Sequence, residues 1–81
     1  MIMTVTSNAI LEIATGYLGP AAITLLERQT KFHMNGLAFH DLEPFQCAEL
    51  GKWVGIASAM FIEQDLAAEL AEKIQELGVL S

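Results

Sequence analysis

Basic residues are scarce in this 81-residue chain: four lysines and arginines stand against ten acidic residues, for a formal charge of −6. Binding to nucleic acid depends on neutralising several phosphates, so no direct nucleic-acid partner is expected. Cysteine is almost absent as well. Cys47 is single and cannot close a disulfide within the chain. Long apolar runs are also missing; the best uninterrupted one extends from Trp53 to Ile62, ten residues between Lys52 and Glu63. About 20 are needed to cross a bilayer, so no membrane span is expected. Met1 to Thr6 has neither the basic region nor the apolar stretch of a secretory signal. These absences suit a cytoplasmic protein. No repeat, low-complexity tract or strand-period segment appears.

What is present is apolar surface in excess. Hydrophobic residues make up 53% of the chain and charged ones 17%, and the mean hydropathy is positive at +0.43. A domain of this length has little interior, so much of that surface must meet solvent or a partner. Self-association, most simply as a homodimer, is the default expectation. The charge is also uneven. Residues 1–40 balance Glu12 and Glu27 with Arg28 and Lys31, so the whole −6 falls on residues 41–81.

The apolar spacing predicts an all-α fold, a compact bundle of about four helices with short connections. Residues 1–7 are expected to be flexible or extended, and residues 8–81 to form one helical domain. The first helix should run from about Asn8 to Thr15, capped by Ser7 or Thr6. Pro20 suits the first turn of the second, which ends near Phe32. Asn35-Gly36 is a stop signal, and Leu37 and Phe39 should tuck into the core. Pro44 opens the third helix. Residues 62–65 are expected to separate it from a fourth, with Asp65 as cap and Gly78 as terminator; the rival is one helix from Pro44 to Leu77. The expected core includes Leu11, Leu25, Leu50, Trp53, Val54, Phe61, Leu70 and Ile74.

Within the third helix, Cys47, Gly51, Gly55 and Ala59 follow one another at intervals of four and form one narrow ridge. Each glycine costs about 1 kcal/mol against alanine inside a helix, so two on one ridge imply close approach of another backbone. That backbone is either the Ala21/Ala22 helix or a second copy of the chain.

Few side chains suggest chemistry. His33, His40 and Asp41, with Glu43 nearby, have metal-ligating atoms, but the histidines lie seven residues apart across a linker rather than one helical turn apart. Cys47, in the first turn after Pro44, could have its thiolate favoured by the helix dipole, although a cysteine there also packs as a small apolar residue. No catalytic constellation, cofactor site or metal site is assigned from these residues. Asp65, Glu69, Glu72 and Glu76 line the face opposite the Leu/Ile stripe of the fourth helix. Glu69 can pair with Lys73, and the face could dock on a basic patch of another protein.

The stretch Tyr17-Leu18-Gly19-Pro20-Ala21-Ala22, continuing to Leu26-Glu27-Arg28, resembles small helical modules at the ends of bacterial signalling proteins, some serine/threonine kinases among them. The likeness covers about residues 10–74 and centres on the Leu-Gly-Pro-Ala turn. It implies a helix pair followed by further amphipathic helices, and it brings no site residue. The expected function is a non-enzymatic protein–protein interaction or assembly module, homodimeric and linked to signalling. The alternative is a small metal-binding or thiol-dependent enzyme using His33/His40/Asp41 or Cys47.

Overall fold

Thr4 starts the first helix three residues earlier than the spacing suggests. In the computed structural model, which describes residues 2–80 (side chains to 79), α1 is Val5–Leu18, and the Thr4 hydroxyl caps it by accepting from the Ser7 N–H at 3.0 Å. The same hydroxyl donates to the Leu42 carbonyl at 2.6 Å, and the Thr4 N–H donates to the His40 carbonyl at 2.9 Å. Buried Ser7 adds its hydroxyl, 3.2 Å from that same carbonyl. The expected flexible or extended segment 1–7 is thereby corrected for residues 5–7, which are helical, while Thr4 is extended and tied to the linker 40–42; Met1 lies outside the described residues. β-branched character at Val5 and Thr6 is overridden by the cap and by these long-range bonds.

Three further α-helices follow: α2, Ala22–His33; α3, Cys47–Ser58; and α4, Gln64–Leu80. No strand occurs among the described residues, so the fold is all-α. The first connection differs from a loop. A single 3-10 turn, Gly19–Ala21, joins α1 to α2, so Val5 to His33 form one run with no loop residue, broken in direction at Gly19. Counted by chain continuity there are three helical bodies. A straight helix of these 29 residues would be about 43 Å long, against a longest molecular extent of 30 Å. It bends at Gly19, whose φ of 63° with ψ of −147° only glycine adopts at little cost.

This run is also long and apolar enough, by length and composition, to cross a membrane, with a window of mean hydropathy 1.5. A search for uninterrupted apolar residues overlooks it, because Thr15, Gly16 and Thr24 lower no average much yet break every run.

Asn35 and Gly36 both take positive φ and stop α2 as expected. Phe39 and Leu42 then enter the core, while Leu37 is only half-buried. Pro44 opens a 3-10 turn, Pro44–Gln46, that leads directly into α3. The Glu43 N–H donates to Gln46 Oε1 at 2.9 Å, part of a capping box at this helix start. Residues 59–63 break α3 from α4, so the continuous-helix rival is excluded. The break comes earlier than 62–65: Ser58 closes α3, and Asp65 lies within the first turn of α4. Gly78 does not terminate α4, which continues through it.

The core collects Ile10 and Ala14 from α1, Ala22, Leu25 and Leu26 from α2, Cys47, Leu50 and Val54 from α3, and Leu70 and Ile74 from α4. Leu11 and Trp53 pack against it half-buried. Phe61 is the one expected core residue that faces solvent, 73% exposed. The i, i+4 spacing from Ala57 held only if α3 continued to Phe61, and it stops at Ser58.

The small-residue ridge has its partner inside the chain. A methyl group on Gly51 would lie 2.9 Å from the Ala71 carbonyl oxygen, and one on Gly55 would lie 3.0 Å from Ala71 Cβ. The approaching backbone is α4, not the Ala21/Ala22 helix. Gly78 belongs to the same seam, since a methyl group there would meet the Pro44 carbonyl at 2.7 Å and Cys47 Cβ at 3.0 Å. Gln75 crosses the seam and donates to the Ala48 carbonyl at 3.2 Å. Ala59, beyond the end of α3, is exposed.

Candidate functional site

An apolar groove of about 560 Å³ runs between α2 and the end of α3, where the chain turns towards α4. Leu18, Leu25, Ala57 and Ile62 lie along it, with Tyr17, Arg28 and Gln29 supplying polar atoms at its edges. Its volume is within the usual range for ligand clefts. Large side chains stand out of it: Phe32 is 66% exposed, Met60 82% and Phe61 73%. Local sequence explains both walls. The Gly19 bend brings α2 back across the bundle, and the three backbone bonds from Met60, Phe61 and Ile62 to the Ala57 and Ser58 carbonyls tighten the chain into a turn that turns Met60 and Phe61 outwards.

His33, at the open end of the groove, is stacked on Trp53, with ring centroids 4.0 Å apart and planes within 9°. Lys52 Nζ sits 4.8 Å from the Trp53 ring, and the indole N–H makes a long 3.5 Å contact to Glu49 Oε2. The indole thus links α2 to α3 beside the groove. Lys73 Nζ lies 5.2 Å from the ring of Tyr17, another residue lining the groove. The Tyr17 side chain, followed by Glu69 and Glu76, raises the pKa of this ammonium. The expected Glu69–Lys73 ion pair does not form among the described residues, and the ammonium sits over the Tyr17 ring of α1 instead.

The residues singled out for chemistry do not converge. Among the described residues, no three His, Cys, Asp or Glu side chains form a set that could hold a metal ion. His33 is engaged by Trp53, and His40 faces Asp41, Nε2 to Oδ1 3.5 Å. Cys47 is buried beneath Gly78, and desolvation raises its thiol pKa, the opposite of activation. Ser58 is buried too, donating to the Val54 carbonyl at 2.6 Å. Asp65, Glu69, Glu72 and Glu76 all lie exposed along α4.

Sequence reasoning missed the groove. Its signal was available in Phe32, Met60 and Phe61, large apolar residues beside a helix stop or break, but a break placed at 62–65 hides them in a helix. Among families, curated proteins and solved structures alike, none matches this chain.

Proposed function

We propose that the chain is a non-enzymatic helical protein–protein interaction module that docks through the groove between α2 and the α3–α4 turn. The observation carrying this reading is the exposure of Phe32, Met60 and Phe61 around an apolar cleft in so small a domain. Contiguous apolar surface of this kind costs solubility and marks interaction sites. In packing, α1 and α2 count as separate helices, and we take the architecture as a four-helix bundle. The Leu-Gly-Pro-Ala turn extends the proposal to assemblies in bacterial signalling, and the single buried cysteine to a cytoplasmic setting. Thiol chemistry at Cys47 is disfavoured by its burial and raised pKa, and metal chemistry at His33/His40/Asp41 by the competing contacts of both histidines.

A second docking reading, the acidic face of α4 against a basic partner, draws on the exposure of Asp65, Glu69, Glu72 and Glu76. A photo-crosslinking amino acid separates the two in expressing cells. Placed at Phe61, it should give a discrete cross-linked species, and at Glu72 none. A species at position 72 alone would favour the acidic face; none at position 61 overturns the groove.

A further inference from the structure

Resting on that reading, we propose that the groove's occupant is a second copy of this chain, docked about a two-fold axis. Phe61 of each copy enters the groove of the other, and Arg28 of each faces the other's Glu63. A two-fold contact requires one patch to be complementary to itself, and this patch has the necessary parts. The protruding Phe61 and the cleft that would receive such a ring lie on the same face.

The charges complement one another in the same way. Arg28, on the α2 wall, is in no ion pair among the described residues, and exposed Glu63 directly follows Ile62 on the opposite wall. Rotation about an axis through the groove exchanges the walls, bringing each cation to the other copy's carboxylate. A strongly acidic partner would satisfy Arg28 but meet Glu63 and its neighbour Asp65, while a basic partner would meet Arg28. A second copy satisfies both signs at once.

Sedimentation equilibrium of the full chain tests this. The parent should reach twice the 8.8 kDa chain mass at micromolar concentration. Phe61→Asp should be monomeric, and Arg28→Glu should weaken association at least about 10-fold by placing like charges opposite each other. Combining Arg28→Glu with Glu63→Arg should restore the dimer. All three positions are exposed, so helical circular dichroism should be unchanged, which keeps loss of assembly distinct from loss of fold. A dimer indifferent to these changes, or a monomer at every concentration, overturns the proposal. In that event a cross-link from position 61 to a species other than a second chain leaves the groove reading standing, whereas no cross-link at all removes the groove reading too.

Discussion

Gly16 and Gly78 both lie inside helices, yet an added methyl group would meet opposite surroundings. At Gly16 nothing lies within 4 Å, so Gly16→Ala should raise stability by about 0.5–1 kcal/mol through helix propensity alone. At Gly78 the Pro44 carbonyl stands 2.7 Å away. Gly78→Ala should therefore lose about 1–3 kcal/mol despite the better propensity, as overpacking does. Denaturant melts of the two variants against the parent check both signs. The spacing of Gly51 and Gly55 made close packing legible in the sequence. Its partner was not, because Gly78, seven residues beyond Ala71, looks like a terminator when read alone. Cys47 supports a further expectation. Burial raises its thiol pKa, so the folded chain holds that proton more tightly than the unfolded one. Its contribution is fully present below about pH 8.5, the unfolded value, and falls as pH rises through the folded value. Cys47→Ala should flatten this alkaline decline in a stability–pH profile.

At the scale of elements, the apolar period was enough to reveal helices, and their ends were where it failed. Asn35-Gly36 was legible because two adjacent residues both tolerate positive φ. The start of α1 was not, since Thr4 owes its role to Leu42, thirty-eight residues away. Thr4→Ala should cost about 1–2 kcal/mol, the upper part of the range for a lost helix cap. It should also speed amide exchange at Asp41 and Leu42, whose segment loses one of its three hydrogen bonds to residues 4–7; unchanged exchange there would show that the remaining two hold the linker. The α3–α4 break was expected, but its displacement to residues 59–63 decides whether Phe61 belongs to the core or the surface. Trp53 is a related case. It was expected in the core and is half-buried, covered on a ring face by His33. His33→Ala should increase quenching of Trp53 fluorescence by acrylamide.

For the molecule as a whole, the excess of apolar residues predicts exposed apolar surface, and three of the nine exposed large apolar side chains among the described residues, Phe32, Met60 and Phe61, stand beside one cleft. Part of it, at Gly51 and Gly55, is consumed inside the chain by α4. Phe32, Met60 and Phe61 remain outside. Exposed residues add little to the stability of the monomer, so at concentrations too dilute for assembly Phe61→Asp should leave the melting temperature within about 3 °C of the parent. A collapse in melting temperature would instead make Phe61 part of the fold. The groove was illegible in the sequence because its walls come from stretches more than twenty positions apart, Tyr17 to His33 and Ala57 to Ile62, brought together by the Gly19 bend and the turn after Ser58. The most direct test of docking through this face is a dilution series of the isotope-labelled chain followed by amide chemical shifts. Resonances that move with concentration should cluster at residues 28–33 and 57–63. Shifts confined to the α4 residues Asp65, Glu69, Glu72 and Glu76, with the groove unmoved, would contradict the account.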